Sequence, residues 1–300
     1  MKKYSTILII ILVTGLFANA QSKSTKKADK LFSKFEFVEA AKEYEKVISK
    51  GGGSEFVYAR LAESYYNVYN TQAAEKWYAK ALETSEVPET IYQYAQMLKA
   101  NGKYEASNVQ MSKFASMRPA DHRSTAFLNN PSYLPKILEK GKKFNVQEMN
   151  INSEFSDFGG TFRDGKLYIS SAREESGKNY GWNEEPFLDI YVSSKNSDGS
   201  FNTPLAMENL NTKYHEGVVS FSPDGSTMYF SRESYFDKIF ERDSLSRNKY
   251  SVLSLYKSTM ELGEWSEGEA LSVNSDNYSV KNPAVSADGK TLFFSSDMAG

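Results

Sequence analysis

The residues that could carry out chemistry are few, and their types exclude several reactions. His122 and His215 are the only histidines, and the chain contains no cysteine. A transition-metal site would therefore depend on carboxylates alone. No nucleophile elbow, phosphate-binding loop, dinucleotide fingerprint or zinc-protease motif occurs. His215 could activate a serine, but its place in a loop before a strand favours a polar loop residue. We predict no catalytic residue, no metal ligand and no cofactor-binding residue.

The acidic residues are better explained as parts of solvent-facing loops than as a metal-binding site. Asn196–Gly199 has the oxygen atoms that calcium prefers, but it lacks the spacing of an EF-hand loop, so we expect a turn. Three acidic runs are expected to face solvent. They are Glu174–Glu175, Glu184–Glu185 and Glu241–Asp243.

Two long loops are the expected functional surface of the second half of the chain. They cover Arg173–Pro186 and Arg232–Lys249. Binding residues gather on loops that a rigid scaffold holds in place.

The elements that hold these loops are three copies of one hairpin pattern. The copies are Gly159–Ser171, Gly217–Ser231 and Asn282–Ser296. Each has a strand, an Asp-Gly turn and a second strand of alternating aromatic or β-branched residues, a strong hairpin signal. The aspartates of the turns, Asp164, Asp224 and Asp288, are separated by intervals of 60 and 64 residues. Regular spacing of one unit predicts a repeat architecture.

The turns and the strands after them resemble the TolB-type, WD-like repeats of β-propellers. The residues that carry the resemblance are SPDG and SADG followed by TMYFS and TLFFSSD, with DIYVSS behind. It implies an antiparallel all-β propeller over residues 144–300, with two blades and part of a third. Because a propeller needs about four blades or more, we expect this one to be incomplete within the chain.

A different repeat fills residues 22–120. Small residues stand at Ala40, Ala74 and Ser107, at intervals of 34 and 33 residues, and each has an alanine twelve positions earlier. This helix-turn-helix period resembles the tetratricopeptide repeat and implies an α-helical solenoid. Residues 121–143 are expected to form a capping helix and linker. The fold class is thus α + β multidomain, a helical solenoid followed by a propeller.

The first residues resemble a secretory signal peptide. Lys2 and Lys3 precede an apolar run, and Ala18-Asn19-Ala20 supplies small residues at the cleavage site. We predict that residues 1–20 are removed and that the mature chain is exported without a transmembrane helix. The absence of cysteine also excludes a lipid-modified cysteine at its start. We expect no nucleic-acid partner, because an exported protein does not meet nucleic acid and the basic residues are scattered among acidic ones.

The order of modules resembles OmpA-like envelope proteins of the Bacteroidetes group, some of which resemble type IX secretion and gliding components. This resemblance implies a non-catalytic periplasmic scaffold, associated with the outer membrane, whose helical repeats and propeller loops bind envelope proteins. Peptidoglycan would be bound only through an OmpA-like domain beyond this chain, because we expect the sequence to be the front portion of a longer protein. The alternative is an exported hydrolase or peptidase whose catalytic domain lies downstream of the propeller.

Overall fold

The helices fill the first part of the chain in this computed structural model. It describes residues 24–131, 133, 137, 139–141, 143–173, 177–242 and 249–299, so the predicted signal segment lies outside the described residues. Residues 24–33 form α1. The helices that follow are α2 Phe37–Ser49, α3 Glu55–Asn67, α4 Thr71–Leu82, α5 Pro88–Ala100, α6 Tyr104–Met117 and α7 His122–Asn129. None of the described helices is long and apolar enough to cross a bilayer.

The helical unit consists of helix pairs that repeat at the predicted interval. Its described residues belong to 1–145 and Gly181–Glu184. Ala40, Ala74 and Ser107 are all buried, as are the alanines twelve residues before them. Small side chains let neighbouring helices approach closely, so the predicted contact positions are confirmed and the region is tetratricopeptide-like.

The serine in the third repeat has a specific partner. Ser107 is 1% exposed, and its hydroxyl donates a 2.7 Å hydrogen bond to the carbonyl oxygen of Ala95 on the paired helix. A buried hydroxyl with a partner is tolerated at a position where the other copies have alanine. The departure from the repeat pattern therefore leaves the helix contact intact.

The turn inside each helix pair also repeats. Phe35, Tyr69 and Gly102 have φ values of 62°, 58° and 77°. This left-handed conformation favours glycine, because a Cβ atom is strained there. Only the third turn uses glycine, and Phe35 and Tyr69 adopt the same left-handed conformation in the first two copies.

The strands form antiparallel sheets in a second unit, made of residues 146–180 and 185–300. The strands are β1 Asp157–Arg163, β2 Lys166–Ser171, β3 Asp189–Ser194, β4 Leu205–Ala206, β5 Glu216–Phe221, β6 Thr227–Glu233, β7 Glu241–Arg242, β8 Lys249–Tyr250, β9 Leu253–Glu261, β10 Glu264–Trp265, β11 Glu269–Ala270, β12 Val280–Val285 and β13 Leu292–Ser296. One sheet has the order β1-β2-β3-β4, and a second has the order β10-β9-β6-β5 with β11 added beside β9. Two hairpins, β7-β8 and β12-β13, complete the described strands.

The three predicted hairpins are confirmed. Strands β1 and β2, β5 and β6, and β12 and β13 pair antiparallel, and each first strand has a register shift. Gly159, Val218 and Asn282 lie at these shifts with positive φ. A bulge of this kind bends and twists its strand. The repeat thus extends to an irregularity that the hairpin pattern did not predict.

The asparagines before the hairpins join each copy to the preceding one. Asn211 accepts from the backbone N–H of Ile190 and donates to its carbonyl, and Asn274 does the same with Leu255. An amide side chain presents an N–H donor and a carbonyl acceptor side by side, as a backbone partner does. The side chains therefore extend the pairing of β3 and β9.

The core of the second unit lies between the first two sheets. Sheet-on-sheet burial of aromatic and aliphatic side chains supplies the main stabilising free energy. Its buried members are Tyr168, Ile190, Leu210, Val219, Phe221, Met228, Phe230 and Tyr256. The described strands do not close into a ring, so the propeller stays a prediction.

Candidate functional site

A pair of an acid and an arginine recurs in the first two β copies. Asp157 accepts from the guanidinium of Arg173 at 2.8 Å, and Glu216 accepts from that of Arg232 at 3.0 Å. In both copies the arginine follows the acid by 16 residues and also donates to a carbonyl 22 residues before it. A hydroxyl-bearing residue four positions before each acid donates to it as well.

These donors determine the charge of the two acids. Burial raises the pKa of Asp157, but hydrogen bonds from Ser171, Ser153 and Arg173 outweigh it and leave the pKa below its usual value. Glu216 is 1% exposed, and burial raises its pKa to about 7 against the bonds from Thr212 and the charge of Arg232. Both acids thus have partners, but only at Asp157 do the partners outweigh burial.

Glu233 is a buried acid of another kind. It ends β6, is 9% exposed, and its backbone N–H donates to the carbonyl oxygen of His215 at 3.0 Å. Its carboxylate makes no hydrogen bond and no ion pair with any residue that the structure describes. Burial raises the pKa of Glu233 to about 7. A buried carboxyl group without a donor destabilises the fold whenever it is ionised.

His215 lies beside this acid and is neutral. Its Nδ1 accepts a 2.9 Å hydrogen bond from the backbone N–H of Leu188, and burial lowers its pKa to about 4. Within the described part of the chain, no serine hydroxyl contacts either histidine. His215 is thus the loop residue that we predicted, but it packs between aromatic rings.

Five half-buried rings form a chain of contacts beside the His215 imidazole, and we call them the aromatic cluster. Tyr180 and Phe187 pack against the imidazole, with ring centroids 4.4 Å and 4.7 Å away. Neighbouring rings of the cluster lie at centroid distances of 5.6 Å to 6.1 Å. The negative charge of Glu233 adds to burial in raising the pKa of Tyr180 and Tyr235. The members are Tyr180, Phe187, Tyr214, Tyr235 and Phe240.

A cavity of about 600 Å³ opens beside the aromatic cluster. Phe187 and Tyr214 belong to both, and Asp189, Lys178 and Lys213 bring charge to its wall. Its size is that of a small-ligand pocket, and its walls combine aromatic rings with a few polar groups.

The helical unit has a separate candidate surface, which we call the groove. It is a cavity of about 340 Å³ whose walls come from α5 and α7 and whose floor comes from α6. Tyr92, Gln96 and Lys99 line it from α5, at helical spacing along one face. Side-chain amides such as Asn108 and Asn130 add groups that can bind a peptide backbone.

Arg123 attaches α7 to the rest of the groove. Its guanidinium donates two 2.9 Å bonds to the Glu89 carboxylate and lies 4.3 Å from the centre of the Tyr92 ring. It also binds Asp121, which caps the first turn of α7, and hydrogen bonds from Arg123 lower the pKa of Asp121 to about 2. The wall formed by α7 is therefore held by charge-assisted bonds.

The structure also places the segments that the sequence singled out. Asn196–Gly199 forms a turn in which Oδ1 of Asp198 accepts from the backbone N–H and the hydroxyl of Ser200, so this oxygen is used locally. No group of three or more acidic, histidine or cysteine residues suited to a metal occurs in the ranges that the structure covers. Glu174–Glu175 and Asp243 lie outside the described residues.

The two long loops contribute unequally to the aromatic cluster. Tyr180 comes from the first loop, and Tyr235 and Phe240 come from the second. Gly181–Glu184, within the first loop, belongs to the helical unit, where Trp182 stacks on Phe35 at 5.8 Å. That part of the predicted functional surface is used for packing.

Comparisons with known proteins give limited further information. No protein-family model matches the chain, and no curated protein matches it. Two domains of the human RPAP3 protein are among the solved structures that the chain matches. Its first tetratricopeptide domain is 16% identical, with a TM-score of 0.36, and the match covers 41% of this chain and 97% of that domain. Its second tetratricopeptide domain, solved with an HSP70 peptide, is 17% identical with a TM-score of 0.34, covering 37% and 95%.

These TM-scores are low, so the description of the helical unit depends on its own helices and their repeat interval.

The arginine–acid pairs were missed by sequence reasoning, although a signal existed. The same spacing of acid and arginine appears in both copies and could have been found by comparing them. Glu233 gave no such signal, because an isolated glutamate in a loop-rich region is ordinary.

Proposed function

We propose that this chain is a non-catalytic interaction protein whose groove binds an extended peptide segment of a partner. The groove supports this proposal because it combines an aromatic ring, amides and a cation along one face of α5 and α7. Lys99 is its most informative member. Its ammonium nitrogen lies 5.1 Å from the centre of the Tyr133 ring, and it has no ion pair with the described residues. A carboxylate of the partner would supply the negative charge for an ion pair with Lys99.

Charge reversal in the groove tests the proposal. The wild-type chain, Lys99→Glu and Lys26→Glu would each be used to capture proteins from an envelope extract. Lys26 is an exposed lysine on α1 that does not line the groove, so it controls for the change in net charge. We expect Lys99→Glu to reduce capture of a specific partner about tenfold, and Lys26→Glu to leave it unchanged. Equal capture by all three proteins would remove the groove as the site.

The location of the protein is part of the same proposal. The basic start, the apolar run and the small residues up to Ala20 support export to the periplasm. The resemblance to OmpA-like envelope proteins supports an association with the outer membrane and a tether to peptidoglycan through a domain outside this sequence. The antiparallel sheets of the second unit are compatible with propeller blades that present loops to envelope proteins.

Cell fractionation and N-terminal sequencing test the location. We expect the protein in the periplasmic or outer-membrane fraction, with Gln21 as its first residue. A cytoplasmic protein that retains Met1 would contradict export and remove envelope proteins as partners.

A further inference from the structure

We propose that Glu233 and the aromatic cluster form a binding site for an organic cation, an alkylammonium or guanidinium group. This site lies in the second unit and is independent of the groove. The proposal depends on three observations. Glu233 is a buried acid without a partner among the described residues, aromatic rings lie near it, and the neighbouring cations are bound to other groups.

The first observation is that Glu233 has no cation beside it among the described residues, whereas Glu216 on the paired strand is bound by Arg232. Arg232 precedes Glu233 on β6, and successive strand residues point to opposite faces. The Arg232 guanidinium is bound to Glu216 and to the carbonyl oxygen of Leu210. It is therefore not available to Glu233, which is 9% exposed and has no donor among the described residues.

The second observation is the set of rings near Glu233. Its backbone N–H bonds to the carbonyl oxygen of His215, whose imidazole lies 4.4 Å from the Tyr180 ring, and Tyr235 follows Glu233 by two residues. The face of an aromatic ring carries partial negative charge and attracts a cation, most strongly where water is excluded. The charge of Glu233 also adds to burial in raising the pKa of both tyrosines. A carboxylate and several rings together favour a cation over a neutral hydrogen-bond donor.

The third observation is that the outer rings of the aromatic cluster already hold ammonium groups. Lys213 lies 5.3 Å from the centre of the Tyr214 ring, and Lys249 lies 4.1 Å from that of Phe240. No described cation lies over Tyr180 or Tyr235, the rings beside Glu233. The inner part of the cluster is thus the part that lacks a cation.

Other charged groups face this region and affect the ligand. Asp189 adds a negative group to the adjoining cavity, while Lys178 and Lys213 add positive ones. His215 is neutral near pH 7, because burial lowers its pKa to about 4. Replacing Lys213 by methionine should therefore strengthen cation binding, since it removes a like charge.

Titration calorimetry with the whole chain tests the proposal. The probes are n-butylammonium chloride and the peptide acetyl-Gly-Lys-Gly-amide, and the control is the same peptide with norleucine in place of lysine. We expect the two cations to bind and the norleucine peptide not to bind. Tighter binding of the lysine peptide would indicate a side chain of a partner protein, and equal binding of the two cations would indicate a free amine.

Two variants connect the binding to the named groups. Glu233→Gln keeps the shape of the side chain and removes its charge, so we expect about tenfold weaker binding of both cations. Glu267→Gln removes an exposed acid from the same unit and should leave binding unchanged. Tyr235→Leu removes one ring and should weaken binding about threefold.

A second readout separates a direct role of Glu233 from a structural one. The wild-type chain should release protons on binding at pH 7, seen as a binding enthalpy that changes with the ionisation enthalpy of the buffer. Glu233→Gln should show less proton release. Equal affinity and equal proton release in the two proteins would overturn the proposal, as would the absence of cation binding by the wild-type chain.

Discussion

Glu216 and Glu233 are two buried glutamates on paired strands, and their surroundings differ in one respect. Burial raises the pKa of each to about 7. Glu216 has three donors, from the backbone and hydroxyl of Thr212 and from Arg232, whereas Glu233 has none among the described residues. Burial and pKa are the same for a structural acid and for a candidate binding acid. The hydrogen-bond partners distinguish them.

The largest expected effect comes from removing the partner of Glu216. Arg232→Met leaves a buried carboxylate without its cation and should reduce the free energy of unfolding by about 3 to 5 kcal/mol. The measurement is urea denaturation at pH 7. The double variant Glu216→Gln/Arg232→Met should recover most of the loss, because no unpaired charge is left. A loss below about 1 kcal/mol in the single variant would show that the pair does not support the sheet.

Glu233→Gln should instead increase the free energy of unfolding at high pH. Folding raises the pKa of Glu233 from its ordinary value of 4.5 to about 7, so the folded chain holds the proton over a range in which the unfolded chain has lost it. The wild-type chain therefore loses stability as the pH rises from 4.5 to above 7, by about 3 kcal/mol in total. The variant lacks this loss, so it should be more stable than wild type at pH 8 and similar at pH 4.5.

Urea denaturation of both proteins at the two pH values measures this difference. Glu216→Gln is the matched control. The pKa of Glu216 is also about 7, so this substitution removes the same pH-dependent loss, but it also removes the acceptor of the bonds from Thr212 and Arg232. We therefore expect Glu216→Gln to be less stable than Glu233→Gln at both pH values, and equal stability of the two variants would contradict the contrast between the two glutamates.

A smaller effect is expected at the equivalent pair in the first copy. The Asp157 and Arg173 side chains are 15% and 18% exposed, against 0% and 4% for Glu216 and Arg232. Water can partly replace the lost partner at such a site, so Arg173→Met should reduce the free energy of unfolding by only about 1 kcal/mol. A loss as large as that of Arg232→Met would mean that burial does not control the strength of these pairs.

The smallest effect concerns a neutral polar group with a partner, in the helical unit. Ser107→Ala removes the hydroxyl that binds the carbonyl oxygen of Ala95 and restores the small residue of the other copies. Because alanine fits this helix contact and helix propensity favours it, stability should change by no more than about 1 kcal/mol. Thermal unfolding of the variant beside wild type gives the value, and a much larger loss would show that the hydroxyl is essential to the third repeat.

The helices and hairpins could be predicted because their signals are local. Ala40, Ala74 and Ser107 fall at one interval, and their burial follows from a period that the chain repeats. The turn at Asp224-Gly225 could be predicted from its two residues, because an Asp-Gly pair favours the positive φ that Gly225 adopts, 76°. The candidate site could be predicted only as a pair of loops, because its residues come from three separate segments.

The sequence alone determined which elements form and in what order. Repeated small residues specify helix pairs, and repeated Asp-Gly turns between alternating strands specify hairpins, because each depends on neighbours within a few residues. The tertiary structure decided which acid has a partner. Arg232 pairs with Glu216 across two strands, at the 16-residue spacing that recurs in the first copy. No spacing along the chain indicates that Glu233 has no donor among the described residues. Charge pairing depends on distances in space, and these are fixed only when the sheets pack.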